Sequence, residues 1–313
     1  MIYARATDGR YTRRRRTLVA LSLLAFCGLP WLTWDGRQAL RFDLDAPSLN
    51  LFALVLGPRA WAAPAVFLIG LAVALILIAA RFGRLWCGYG CPQMASSMVF
   101  LGVERYLEGD RYKRMGRDSG PWRCSTIARK CVKHAVWVAI GAGLGLHFVG
   151  WFTPIRALWL QAWTCSASSA QTFWIAFFGG ALYIKTAWLR ERVCAALCPY
   201  ATMQGAFTGP TTQVIAYDEA RGEPRGARSR RADRADRAAQ ALGDCVGCTL
   251  CVQVCPAGID IRKGLQNECT GCAACIDVCD SVMQRMGYPS GLIGYVRPSE
   301  RAVRRTSAGG SRA

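Results

Sequence analysis

Four apolar runs punctuate the chain, at residues 17–34, 62–80, 135–153 and 171–189. Each is 18 or 19 residues long, close to the ~20 needed for an α-helix to cross a hydrocarbon core. The stretches between them are strongly polar. Arg13 to Arg16 precede the first run as they would a signal peptide, but Pro30, Trp31 and Trp34 close it without a small-residue cleavage pattern. The pattern therefore predicts an α-helical membrane domain of four transmembrane helices joined to a small extramembrane domain.

Charge orients these spans. Six Lys or Arg lie before residue 17 and ten from Arg81 to Lys130, against three from Asp35 to Trp61 and one from Pro154 to Ala170. Positively charged flanks stay in the cytoplasm, so the N-terminus, the middle loop and everything after Leu189 are expected inside a bacterial inner membrane, with the protein multi-pass. The net charge of +19 is then explained by topology, and no nucleic-acid partner is called for. Trp31, Trp34, Trp61, Trp151, Trp159 and Trp163 fall at the outer ends of the spans, where an interfacial belt sits. Residues 221–241 hold seven Arg and three acids among Ala and Gly and read as a charged linker.

The sixteen cysteines add the chemistry. Cys245-x2-Cys248-x2-Cys251-x3-Cys255-Pro256 is followed by Cys269-x2-Cys272-x2-Cys275-x3-Cys279. Two such runs form the bacterial two-cluster ferredoxin pattern, in which three close thiolates wrap one [4Fe–4S] cubane and the fourth of each run ligates the other. Cys245, Cys248, Cys251 and Cys279 are thus expected to hold one cluster, and Cys269, Cys272, Cys275 and Cys255 the second. Structural zinc also takes four thiolates, but its cysteines usually come in pairs. A disulfide scaffold belongs to small secreted domains, not to cysteines that follow a cytoplasmic span.

A coarse repeat is superimposed on this. Each pair of spans is followed by a Cys-x3-Cys-Pro segment, Cys87 to Pro92 and Cys194 to Pro199. Two hairpins running in the same sense would bring Cys87, Cys91, Cys194 and Cys198 together at one membrane face, as in parallel repeats. Four soft thiolates there suit copper(I), zinc or another iron–sulfur cluster, with Met94, Met98 and Met203 as further sulfur atoms nearby. His134 and His147, the two histidines, lie at opposite ends of one span and read as packing and headgroup groups. No Gly-rich phosphate loop or dinucleotide fingerprint is present.

The resulting division is 1–204 membrane domain, 205–244 basic linker, 245–295 two-cluster α+β ferredoxin-like domain and 296–313 basic tail. Against it, Trp86-Cys87-Gly88-Tyr89-Gly90-Cys91-Pro92-Gln93, Glu108-Gly109-Asp110-Arg111, Cys198-Pro199-Tyr200-Ala201, residues 217–226 and Gly258-Ile259-Asp260-Ile261-Arg262 together resemble the CcoG (FixG/RdxA) family of cytochrome c oxidase accessory proteins. The resemblance implies a membrane cupric reductase that converts copper(II) to copper(I) during assembly of a cbb3-type oxidase, with oxidase assembly factors as partners and the two Cys-x3-Cys-Pro motifs as the place of copper or electron exchange. Members of that family usually continue into another span and an outer immunoglobulin-like domain, whereas this chain stops at Ala313, so the resemblance carries the cytoplasmic redox machinery. Two other readings stand beside it. One is a quinol-linked membrane ferredoxin subunit of an electron-transfer chain, whose donor is quinol in place of a cytoplasmic protein. The other is a non-redox copper metallochaperone or assembly scaffold.

Overall fold

The computed structural model describes residues 3–43, 48–57, 62–121, 123–190, 193–198, 200–201, 209–227, 242–266 and 268–299. Residues 205–208 and 228–241 of the basic linker, residues 300–313 of the basic tail and Met203 lie outside the described residues.

The chain enters as an extended segment and begins helix α1 (Arg10–Gly28). A single 3₁₀ turn, Leu29–Trp31, ends it at Pro30, which cannot continue a helix and biases the residue before it away from helical dihedrals. Two small antiparallel sheets follow: β1 (Thr33–Trp34) with β2 (Arg37–Gln38), and β3 (Leu40–Asp43), β4 (Ser48–Leu51) and β5 (Leu54–Leu56) in sequence order. They cap the bundle through Phe42 N–H to the Trp151 carbonyl at 2.9 Å and Gln38 Nε2 to the Gly150 carbonyl at 2.8 Å. Nothing in the apolar pattern marks these strands, which are too short to show an alternation.

Next come α2 (Ala62–Phe82), α3 (Leu85–Tyr89), α4 (Pro92–Glu108), α5 (Arg111–Asp118), α6 (Cys124–Val149), α7 (Ile155–Trp163) and α8 (Ser169–Ile184). By length and composition two of these are able to cross a membrane, α2 over Ala65–Phe82 and α6 over Cys124–Val149. Along α2 the apolar side chains point outward, Val66, Phe67, Leu68, Ile69 and Leu77 all being more than three-fifths exposed. The other two expected spans differ for local reasons. In α1 the first two turns are spent on Arg10 and Arg13 to Arg16 before the apolar stretch starts. In α8 the regular helix stops at Ile184 and continues as a π-helical turn, Lys185–Leu189. Among the described residues, two helices thus have spanning character by length and composition, and the other two expected spans are not confirmed.

Helices α6 and α8 pack against one another along a line of glycines. A Cβ on Gly141 would lie 2.9 Å from the Gly179 carbonyl, and one on Gly145 would lie 2.8 Å from the Gly179 nitrogen. Small residues at such crossings let backbones approach closely when apolar burial alone does not drive association. His134 Nδ1 meets the Tyr183 hydroxyl at 2.9 Å and His147 Nδ1 the Gly143 carbonyl at 2.8 Å, so both histidines are engaged inside the bundle.

Helices α4, α5 and α6 and the end of α8 enclose a charged core. Glu104, 1% exposed, meets Arg114 at 2.9 Å, Arg190 at 3.0 Å and Lys133 at 3.7 Å, while Glu108 meets Lys133 at 2.7 Å. Lys133 and Arg190 also lie over the ring of Trp137.

The ferredoxin-like part starts earlier than its cysteines. β6 (Val214–Tyr217) lies inside the stretch read as linker and pairs antiparallel with β7 (Ile293–Val296), Val214 opposite Val296. Between them come the short helices α9 (Glu219–Gly222) and α10 (Leu250–Gln253), a 3₁₀ turn at Ile261–Lys263, and α11 (Ala274–Met286). Ile215, Tyr217, Ile276, Met283, Leu292 and Ile293 form the core beneath the strands.

Candidate iron–sulfur centre

The two cysteine runs have the same backbone. Gly247 and Gly271, each preceding the second Cys of its run, both have φ of +68°, and the residues after that Cys, Thr249 and Ala273, have φ of +56° and +58°. Repeated left-handed residues turn the chain tightly enough for successive thiols to face one side, and glycine takes that conformation at no steric cost. Helices α10 and α11 then start just after these turns and carry the third Cys of each run.

The structure places the eight thiols around two cavities. One is lined by Cys245, Cys248, Cys251 and Cys279, with Val278, Val282 and Met283 from α11 among its apolar walls. The other is lined by Cys255, Cys269, Cys272 and Cys275, together with Cys251, Ile215, Ile259 and Ile261. The last Cys of each run thus stands with the first three of the other. Burial pushes the Cys279 thiol up to about 12, with Cys251, Asp280, Cys245 and Cys248 as its charged neighbours. Burial likewise raises Cys269 to about 11 and Cys275 well above its ordinary value, both beside Cys272 and Cys255.

The donor set fits iron–sulfur clusters. Neither cavity has a His, Asp or Glu in its wall. Among the described residues no three His, Cys, Asp or Glu groups gather at the spacing of a single metal ion, whereas tetrahedral zinc draws four sulfurs to about 2.3 Å from one point. Four thiols arranged around a cavity suit a larger group.

Residues from the N-terminal half of the chain, with Tyr295, close over the second cavity. Arg84 Nη1 donates to the Cys269 carbonyl at 3.1 Å, Arg15 Nη1 to the Cys272 carbonyl at 3.2 Å, and the Tyr295 hydroxyl to the Gly271 carbonyl at 2.9 Å. Helix α3 lies directly on this loop, since a Cβ on Gly88 would come within 2.8 Å of the Gly271 carbonyl and 3.1 Å of the Cys272 Cα. Helix α1 is tied in by Asp277, which stands between Cys275 and Cys279. Its carboxylate accepts from Tyr11 N–H at 3.1 Å and from both N–H and hydroxyl of Thr12 at 2.7 Å.

The two Cys-x3-Cys-Pro motifs meet beside this contact. Cys91 precedes α4 and half-buried Cys194 lies in the π-helical turn Val193–Leu197. Burial raises the Cys194 thiol, and Cys91 and Cys198 are the next contributors, so three of the four thiols are neighbours. Cys87 sits half-buried on α3, one residue before Gly88, which packs on the Gly271–Cys272 loop. The described thiols of this group are gathered without forming a ready single-ion site. Arg15, Arg84 and Asp277 carry no sequence signal that ties them to the cysteines, because each contact joins residues about 185 to 266 positions apart.

Comparisons with known proteins agree with this geometry. A family model described as a 4Fe-4S dicluster domain matches residues 189–298. The chain is 37% identical over 307 residues to "Nitrogen fixation protein FixG" of Rhizobium meliloti, an alignment covering 96% of this chain and 58% of the relative. It is 34% identical over 309 residues to "Protein RdxA" and to "Protein RdxB" of Cereibacter sphaeroides, covering 97% of this chain and 64% of each relative. The chain therefore spans about three-fifths of the length of these curated relatives. No solved structure matches it. Along nearly the whole of its length the chain is thus similar to FixG, RdxA and RdxB, and its residues 189–298, where the two four-cysteine cavities lie, match a 4Fe–4S dicluster domain.

Proposed function

We propose that the chain is a membrane-bound iron–sulfur electron-transfer protein that passes electrons from its dicluster domain to copper(II), yielding copper(I) for assembly of a cbb3-type oxidase. The observation that carries this reading is the position of Cys194. It neighbours Cys91 and Cys198 and shares a cavity wall with Pro256 and Thr270, which directly follow Cys255 and Cys269.

Cys245, Cys248, Cys251 and Cys279 would hold one cluster, and Cys255, Cys269, Cys272 and Cys275 the other. Bound clusters supply one-electron redox chemistry. The protein's part is to cover these thiols, all but the exposed Cys248, with isoleucine and valine walls, and to lay the Cys269–Cys272 loop against α3. Copper, as substrate, changes from a harder to a softer ion on gaining one electron, and thiol sulfur favours the product. Cys91, Cys194 and Cys198, with Cys87 behind them, supply that sulfur. The exposed apolar face of α2 and the Lys and Arg asymmetry support a multi-pass location in a bacterial inner membrane, with the dicluster domain in the cytoplasm.

Loaded protein is expected to contain about eight iron and eight sulfide per chain. Replacing Cys91 and Cys198 together by Ser should leave the cluster spectra unchanged and abolish copper(II)-dependent oxidation of the reduced clusters. Normal oxidation by copper(II) in that variant would place the exchange elsewhere. Copper binding by the wild type without any change in cluster spectrum would instead support a non-redox metallochaperone.

A further inference from the structure

Where the end of α8, helix α4 and the cysteine loops meet, a cleft opens to solvent with Cys194 of the paired thiols in its wall. Its walls are mostly apolar, with Ala4, Met94, Leu101, Pro256 and Ala257 facing inward. Gln93, immediately after the Cys91-Pro92 pair, is 7% exposed, and neither atom of its amide has a hydrogen-bond partner. An amide buried without partners in an apolar wall is unfavourable, and a ligand that both accepts and donates would remove that cost. Arg190, 9% exposed, lines the same space; its Nε donates to the Thr186 carbonyl and it pairs with Glu104, but its Nη1 has no hydrogen-bond partner.

We propose that this cavity binds the headgroup of a membrane quinone, which exchanges electrons with the dicluster domain. The inference rests on the reading that the two four-cysteine cavities hold clusters. Three observations select this class of ligand. An anion is disfavoured because the Arg190 charge is already met by Glu104 and Glu268 stands at the rim. A metal ion is disfavoured because Cys194 and Glu268 are the only thiol and carboxylate in the wall. A neutral, largely apolar ring with two oxygens matches what remains, and apolar pockets with a few convergent polar groups are the usual form of such sites.

The oxygens of the ring change from acceptors to donors on reduction, and a glutamine amide serves both forms. Gln93 Nε2 and Arg190 Nη1 donate to the quinone carbonyls, and Gln93 Oε1 accepts from a quinol hydroxyl. Oxidation of one quinol breaks two O–H bonds, releasing two protons and two electrons; one electron goes to each of the two clusters, and reduction of the quinone is the reverse. Glu268 is exposed and lines the cavity, so it offers the protons a route to water. Thr270 and Pro256, flanking cysteines of the second set, put the ring beside that set.

The test uses iron-replete full-length protein in detergent with decylubiquinone as probe, read by titration calorimetry and by anaerobic reoxidation of the dithionite-reduced clusters. Saturable binding and reoxidation are expected in the wild type. Gln93→Leu should weaken binding about tenfold, the worth of a lost buried hydrogen bond, and Ser97→Trp should block the cavity from the α4 side. Gln93→Leu should keep copper(II)-dependent oxidation. No saturable binding by iron-replete wild type, or equal binding by both variants, overturns the quinone site and leaves the cluster reading standing. Protein that cannot be loaded with iron overturns the cluster reading and this inference with it.

Discussion

Arg15 and Arg84 are the residues that make the two four-cysteine sets unlike each other. Both guanidinium groups donate to carbonyls of the Cys269–Cys272 loop, whereas the first set has Asp280 next to Cys279 and an arginine, Arg262, whose charge is already met by Asp260 at 2.8 Å. Positive charge and donated hydrogen bonds favour the reduced, more negative form of a bound cluster, so the second set is expected to have the higher reduction potential. Arg84→Gln should lower that potential by an amount near a tenfold shift in equilibrium, about 59 mV for one electron, leaving the first little changed. Redox titration followed by electron paramagnetic resonance checks this, and two unshifted potentials would refute it. The cysteine sets themselves could be read from spacing because each three-Cys loop is built from adjacent residues. The arginines could not, since their carbonyl partners are 257 and 185 positions away and a backbone carbonyl has no residue type to recognise.

Among the elements, α1 is held by a side chain from another domain. Its N-cap, Gly9, makes no side-chain cap, and the orphan N–H groups that begin any helix are met by Asp277. Asp277→Ala should cost about 1–3 kcal/mol by leaving those donors buried and unpaired, seen as a lower denaturant midpoint and as new protease sensitivity before Arg10. A variant as resistant as the wild type would show that α1 docks without the carboxylate. The core around Glu104 binds its elements more tightly still. Glu104→Gln leaves Arg114, Lys133 and Arg190 with one carboxylate, and unpairing buried charges of this kind costs about 3–5 kcal/mol. Helices α2, α6 and α8 were legible as long apolar runs. The strands β1 to β5 and the π-helical turns were not, because two- to four-residue strands and a local change of helical pitch leave no period in the sequence. The strand β6 was missed for a different reason: its partner β7 lies far along the chain, past both cysteine runs.

For the whole molecule, the asymmetry of Lys and Arg predicts that the Cys87 to Arg129 segment and the dicluster domain share one side of the membrane, opposite the residue 154–170 loop. Labelling of the exposed Cys124 and Cys165 by a membrane-impermeant thiol reagent, each compared with its Ser variant, or reporter insertions at these places, should report opposite sides for the two loops. The same side for both would mean that α6 does not span. The contact between Asp277 and Thr12 sets a further condition, one of timing. The two residues are 265 positions apart, and at bacterial synthesis rates of about 5–20 residues per second the N-terminus waits on the order of tens of seconds for its partner to be made. Helix α1 therefore emerges with an uncapped, arginine-rich end, and it finds its seat only when the second cysteine run has folded. A chain whose last run fails to wrap its cluster leaves that end loose, so that proteases of the cell meet an open terminus on defective copies and a closed one on sound copies.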